Sequence, residues 1–188
     1  MLGVSRSHPL RRLFTDLVRR RFFEDICLRD PQVAGYVSDM LVDFTHVDNF
    51  YRLRTARGRR LEEVAEMLIE SNPLLAASSF DRERRVRKHI GDTTLFLLGM
   101  FPEHVAWRRR SPLRADYFID YVRAGKESYF IVSAFDQFEY RDMGPLFKKL
   151  SDQFELCVFG LNLVKQDLWR FQRDYMERLR QHVVPEIH

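Results

Sequence analysis

A chain of 188 residues with 45% apolar side chains can bury one hydrophobic core without disulfides or structural metals. Its two cysteines, Cys27 and Cys157, form neither a zinc motif nor a disulfide framework, and we expect both to be reduced core residues. The net charge of +4 balances 31 basic against 27 acidic residues, and no apolar run approaches the length of a membrane span. We therefore expect one soluble domain over residues 1–188, with no membrane partner.

The N-terminal part of the chain has the apolar periodicity of helices. Apolar residues recur at intervals of three and four from Leu10 to Ile26, which predicts a first core helix, although the many arginines also suit a targeting segment. Asp30 followed by Pro31 marks the start of a second helix, which we expect to continue to about Arg52.

The middle of the chain predicts three further helices. A short helix is expected over residues 61–71, and a longer one begins at a cap on Ser79 or Asp81 and reaches Gly99. A third covers residues 117–135. Because strand alternation and phosphate-binding loops are absent from the sequence, the fold class expected is an all-α bundle of about six to seven helices.

The C-terminal third carries the most regular pattern of the chain. From Phe147 to Tyr175 nine apolar positions alternate at spacings of three and four, which predicts one long helix over residues 145–181 with Gly160 as a weak point. At about 1.5 Å per residue this helix would be longer than the domain is wide, so its far end would protrude. We expect it to form a homodimer; the alternative is that the stripe packs inside one bundle. The predicted interface residues are Leu161, Val164, Leu168, Phe171 and Tyr175.

Asp92 lies in the most apolar stretch of the chain, on the helical face that includes Leu95 and Phe96. A buried carboxylate must be hydrogen-bonded or paired, or its pKa rises and it takes up a proton. The sequence predicts either a polar network that fixes how two helices pack, or a ligand pocket. The candidate partners of Asp92 are His89, Tyr117, Tyr121 and the thiol of Cys157, and the ligand-binding residues in the pocket hypothesis are His89, Asp92, Tyr117 and Tyr121.

Two spacings, Asp43 with His46 and His89 with Asp92, raise the question of a metal site, since residues three apart on a helix can share a ligand. A helical projection places Asp43 and His46 on opposite sides of the apolar stripe, and the motifs of zinc proteases and di-iron bundles are absent from the sequence. We therefore expect no metal and no cofactor.

Arginines cluster at residues 57–60, 82–88 and 108–114, and acidic residues interrupt or flank each cluster. Proteins that bind nucleic acid concentrate basic charge on one face and interleave it with aromatic or short polar side chains. A solvated surface is the favoured interpretation, and nucleic acid remains a weaker alternative.

The segment HIGDTTLFLLGMFPE, followed by DYFIDYVRAGKESY, resembles a group of bacterial proteins of about this length that have no assigned activity. The shared features are a Gly-Asp pair before an apolar Leu-Phe segment and a second helix rich in tyrosine. The resemblance implies a bacterial, cytoplasmic, all-helical protein and transfers no catalytic residue.

Three functional classes remain, in order of preference. The first is an interaction or regulatory protein that forms a homodimer through its C-terminal helix and leaves room for an unknown protein partner. The second is a small-molecule-binding protein or an enzyme that uses the Asp92 pocket. The third is a polyanion binder. Enzymatic activity is the less favoured expectation, because no serine lies in a nucleophile-elbow motif and no catalytic residue can be assigned.

Overall fold

The computed structural model describes residues 9–55, 57–75, 79–108, 110, 116, 119–135 and 142–183. Within these residues the chain forms nine α-helices, one π-helical turn (Arg21–Asp25) and a single isolated β-bridge between Arg54 and Arg60. The helices are α1 (Pro9–Arg20), α2 (Pro31–Phe44), α3 (Val47–Phe50), α4 (Val64–Glu70), α5 (Phe80–Met100), α6 (Pro102–Arg108), α7 (Tyr121–Ser133), α8 (Gly144–Asp152) and α9 (Phe154–Val183). The all-α bundle predicted from the sequence is confirmed. None of the described helices combines the length and apolar character needed to cross a membrane.

Three of the longer helices begin at polar side chains that cap their first turn. Asp30 accepts two backbone N–H groups at 2.9 and 3.2 Å at the start of α2, Ser79 accepts one at 3.1 Å at the start of α5, and Asp120 accepts one at 3.1 Å at the start of α7. Each cap satisfies donors that would otherwise lack a partner inside the helix. The predicted starts of α2 and α5 are therefore confirmed.

The predicted second helix ends earlier than its apolar stripe suggests. We expected it to reach Arg52, but α2 ends at Phe44 and the chain forms the single turn α3 after a short break. At the break the hydroxyl of Thr45 donates to the carbonyl oxygen of Val42 at 2.6 Å. A threonine hydroxyl can bind a carbonyl group for which helical backbone N–H groups otherwise compete, and α2 ends where Thr45 does so.

The predicted C-terminal helix is two helices, because the chain leaves helical geometry at Gln153 (φ −110°, ψ 21°). Gly160, predicted as the weak point, lies inside an unbroken α9. The break lets α8 pack mainly on α7 while α9 packs mainly on α5. A hydrogen bond of 2.8 Å from the Ser151 hydroxyl to the carbonyl oxygen of Lys126 attaches α8 to α7.

The core consists of two apolar clusters, and α5 contributes to both. Leu95 and Met100 belong to the larger cluster, which contains side chains of α1, α2, α8 and α9. Val86, Ile90 and Leu97 belong to the smaller cluster, together with side chains of α4, α6 and α7. Because α5 alternates its contacts between the two clusters, it lies at the centre of the fold.

The two cysteines have different surroundings. Cys157 is buried in the larger cluster, and this burial raises the pKa of its thiol to about 12. Cys27, expected in the core, is instead exposed just after the π-helical turn, with a backbone φ of 56°. A positive φ is uncommon for a residue other than glycine, and here it occurs in the connection between the π-helical turn and α2.

Two glycines allow neighbouring elements to pack closely against α9. A β-carbon at Gly99 on α5 would lie 2.4 Å from Cβ of Leu161, and one at Gly160 on α9 would lie 2.4 Å from Cε2 of Phe22. Neither distance can be accommodated without movement of the neighbour. Glycine at these positions therefore sets the separation of the packed elements.

Replacing Gly99 by alanine should destabilise the protein by about 1–3 kcal/mol, because the added methyl group overpacks the contact with Leu161. The matched control is Gly35→Ala in α2, where a β-carbon would meet no atom within 4 Å. That change should stabilise by about 0.5–1 kcal/mol through helix propensity. Urea unfolding of the two variants measures both values, and equal effects at the two positions would contradict the packing argument.

Candidate functional site

Asp92 is buried in the middle of α5, as its helical face predicts. Tyr36 of α2 and Tyr129 of α7 donate their hydroxyls to its Oδ1 atom at 2.5 and 2.9 Å. Lys88, one turn earlier on α5, donates to Oδ2 at 2.7 Å, and a terminal nitrogen of Arg52 lies 3.8 Å from the same oxygen. The carboxylate thus joins α2, α5, α7 and the segment that follows α3.

The charge of Asp92 is stabilised where it lies. Burial by itself raises the pKa of this carboxyl group, but the charge of Lys88 and the hydrogen bonds from Lys88 and Tyr36 outweigh it, and the pKa lies below its ordinary value. Burial also raises the pKa of Tyr36 and Tyr129 well above the ordinary tyrosine value, with a further contribution from the charge of Asp92. An ionised carboxylate and two protonated hydroxyls therefore persist at neutral pH.

The surroundings of Asp92 depend on a glycine next to it in sequence. A β-carbon at Gly91 would lie 2.4 Å from Cε1 of Tyr129, so only glycine lets that ring lie against α5. The Tyr36 ring packs edge-on against the rings of Tyr129 and Phe147, with centroids 6.4 and 5.4 Å apart, and the Lys88 ammonium lies 5.1 Å from the Tyr36 ring centroid. These contacts fix the hydroxyls that bind Asp92.

Two other predicted partners of Asp92 make their hydrogen bonds elsewhere. Tyr121 donates its hydroxyl to Oδ2 of Asp116 at 2.7 Å and belongs to the smaller core cluster. His89 is buried with Nε2 2.9 Å from the carbonyl oxygen of Phe50, and it interacts with Asp92 through charge alone. Tyr117 lies outside the described residues.

Sequence reasoning missed Tyr36 as a partner of Asp92. The residue lies in the apolar stripe of the second predicted helix, where a tyrosine must find an acceptor for its hydroxyl. The need of this hydroxyl for an acceptor was the signal in the sequence that could have pointed to Tyr36. The pairing itself joins residues 56 positions apart, which periodicity does not report.

The Asp92 network opens onto a cleft of about 180 Å³ between α1, α2 and α5. The guanidinium of Arg11 pairs with Asp39 across it, and Arg52 lies 3.7 Å from Asp43. The charged residues that line the cleft are Arg11, Asp39, Asp43, Lys88 and Asp92. Asp92 therefore forms the buried end of a polar cavity.

A second cleft, of about 320 Å³, is lined mainly by aromatic rings. Phe96 and Phe101, which could have filled the space near Asp92, line this cleft together with Phe44, Phe50 and Tyr51. Phe96 packs on the rings of Phe44 and Phe101 with centroids 5.1 and 5.5 Å apart. The polar cleft at Asp92 is therefore left open rather than filled by these side chains.

The predicted interface residues of the C-terminal helix divide into two groups. Leu161 and Val164 are fully buried in the core of this chain and Leu168 is partly buried against it, so these residues are not available to a second copy. Phe171 and Tyr175 are 50% and 63% exposed. Of the five residues predicted to form an interface, Phe171 and Tyr175 are therefore the two whose side chains are exposed.

Several arginines of the basic clusters are engaged by carboxylates of this chain. Distances of 2.6 to 3.4 Å join Arg59 to Glu66, Arg60 to Asp48 and Arg82 to Glu70. Most of the third cluster, residues 109 and 111–115, lies outside the described residues. The ion pairs favour the solvated-surface interpretation over a surface that binds polyanions.

No family model, no curated protein and no solved structure matches this chain. In the part of the chain that the structure describes, no three side chains of histidine, cysteine, aspartate or glutamate lie close enough together to hold a metal ion. The two features from which a function can be inferred are therefore the polar cleft and the exposed rings of Phe171 and Tyr175 on α9.

Replacing Asp92 by alanine should destabilise the protein by about 3–5 kcal/mol, because Lys88 and the two tyrosine hydroxyls lose their acceptor in a buried site. Glu127→Ala removes one partner of the exposed Arg123 ion pair and should change stability by about 0.5 kcal/mol or less. Chemical denaturation measures both effects. A loss at Asp92 as small as that at Glu127 would show that the network contributes nothing.

His89 should make the protein less stable in mild acid. Burial, and then the charge of Arg52, lower the pKa of His89 to about 4, whereas an unfolded histidine titrates near 6.5. As the pH falls through this window the unfolded chain takes up a proton first, so up to roughly 3 kcal/mol of stability is lost.

The measurement is the difference in unfolding free energy between wild type and His89→Gln from pH 7 to pH 4. The variant does not titrate at this position, so the unfolding free energy of the wild type should fall relative to that of the variant as the pH is lowered. A difference that stays constant would place the pKa of His89 near its ordinary value.

Proposed function

We propose that this protein is an interaction protein that associates with a second copy of itself through the exposed end of α9. The observation that carries the proposal is a change of environment along one helical face. Cys157, Leu161 and Val164 are fully buried on this face, whereas Phe171 and Tyr175 continue it at the same spacing and are exposed. A face that packs on a core and then continues bare past it suits a second helix.

The part of α9 beyond Leu168 is long enough to pair with a second helix. The helix continues from Trp169 to Val183, about 15 residues or roughly 22 Å. Phe171 and Tyr175 are four residues apart and therefore lie next to each other on one face of α9, with both rings exposed. Exposed clusters of aromatic residues are typical of interaction surfaces.

A two-fold pairing would be self-complementary. In an antiparallel arrangement centred between Phe171 and Tyr175, each of these rings meets the other residue of the partner copy. Near the centre of this pairing, Arg170 and Arg173 are balanced by Asp174 and Glu177, and the two further arginines of the segment, Arg178 and Arg180, lie toward its ends, so the centre does not carry a single sign of charge. Both properties favour a second copy as the occupant.

The test is the molar mass of the purified protein measured by light scattering after size-exclusion chromatography. The wild type should be a dimer, and the double variant Phe171→Glu with Tyr175→Glu should be a monomer of unchanged helical content, because both side chains are exposed and contribute little to the core.

The control is Gln166→Glu, an exposed position two and a half helical turns before Tyr175 and therefore on the opposite side of α9. It adds one negative charge, against two in the double variant, without touching the proposed interface, and it should remain dimeric. A wild type that is monomeric at high micromolar concentration, or a double variant that is still dimeric, would overturn self-association through this face.

A further inference from the structure

The cleft beside Asp92 holds charges of both signs. Among the described residues, two cations and three carboxylates line it, and a third cation outside the lining contacts two of these carboxylates, so the two signs are equal in number once it is counted. The lining residues are Arg11, Lys88, Asp39, Asp43 and Asp92, and the third cation is Arg52. The equal number of positive and negative charges holds for these six residues only, since the whole chain carries a net charge of +4.

The charges are arranged in two groups. Arg11 pairs with Asp39 on the side of α1, while Lys88 and Arg52 contact Asp92 on the side of α5, and Arg52 also reaches Asp43 at 3.7 Å. Both oxygens of Asp92 are already occupied by donors of this chain. Asp39 and Asp43 are the more accessible carboxylates, with 62% and 56% of their side chains exposed.

The charge balance decides which ligands fit. A divalent cation would face Arg11 and Lys88, and two of the carboxylates are already in contact with Arg52, whereas an anion such as phosphate would face all three carboxylates. Each of these ligands would be repelled by the side chains that carry its own sign of charge. A molecule that carries both signs and no net charge satisfies both sets.

We propose that this cleft binds a small zwitterion of the free α-amino acid class. Its carboxylate is bound by Arg11 and Lys88, and its ammonium group by Asp43 and Asp39. The volume of about 180 Å³ lies below the roughly 300–1,000 Å³ of sites for drug-sized ligands, which restricts the ligand to a small one. This binding is independent of the proposed self-association, since none of the charged residues of the cleft lies on α9.

The experiment is a thermal-unfolding screen of the full chain with each common L-amino acid at millimolar concentration. A ligand at ten times its Kd should raise Tm by about 3–6 °C. The best amino acid is then compared with its 2-hydroxy acid, which lacks the ammonium group, and with its amino alcohol, which lacks the carboxylate. Neither should produce the shift, because each leaves one set of charges unpaired.

Variants locate the site. Asp43→Asn and Arg11→Gln should each weaken binding of the amino acid at least tenfold, by removing the partner of its ammonium group or of its carboxylate. The control is Asp152→Asn, since Asp152 also pairs with a cation and has the same 56% exposure as Asp43. It should bind as the wild type does.

The proposal is overturned if no amino acid raises Tm, if the single-charge analogues bind as well as the zwitterion, or if Asp43→Asn binds with unchanged affinity. If Arg11→Gln is unstable without ligand, the Asp43→Asn variant alone decides the outcome, because its side chain is largely outside the core.

Discussion

The negative charge of Asp92 in the interior is the constraint on which the rest of the structure depends. An ionised carboxylate loses its hydration on burial, a cost of several kcal/mol that only well-placed donors offset. Tyr36, Tyr129 and Lys88 supply these donors from α2, α7 and α5. A shift of any of these helices by one residue would leave the charge unpaired, so the carboxylate selects one packing arrangement among several that apolar contacts alone would permit.

Two other buried aspartates among the described residues also join separate parts of the chain. Buried Asp116 accepts the backbone N–H of Ala65 at 2.8 Å and the hydroxyl of Tyr121, which attaches the start of α4 to α7. Buried Asp167 accepts Arg20 and Arg21 at 2.7 Å and attaches α9 to the end of α1, and these hydrogen bonds, that of Arg21 first, lower the pKa of Asp167. In each case an aspartate joins segments that lie far apart in sequence. A bundle of amphipathic helices is thereby given specific contacts that its apolar stripes do not specify.

Local signals explain what the sequence could predict. The cap at Ser79 and the apolar face of residues 92–99 define α5 and place Asp92 inside, because both are properties of one helix. The break at Gln153 escaped prediction because fully buried Leu150 and Phe154 keep the stripe regular on both sides of it. The tyrosines that bind Asp92 escaped for a different reason. Periodicity reports which side of a helix is buried, but not which other helix covers it, and the pairing of α5 with Tyr36 is a property of the whole fold.

The position of α5 in both core clusters has a consequence for how the protein unfolds. Ile90 belongs to one cluster and Leu95 to the other. Unfolding of α5 would therefore disrupt the packing of both clusters at once. The two halves of the core therefore form one cooperative unit. Backbone amides in the middle of α5 should exchange with solvent deuterium through global unfolding, whereas those of α9 from Trp169 to Tyr175, where the large side chains are exposed, should exchange through local opening. The slowest-exchanging segment of the molecule would then be the one that carries its buried charge.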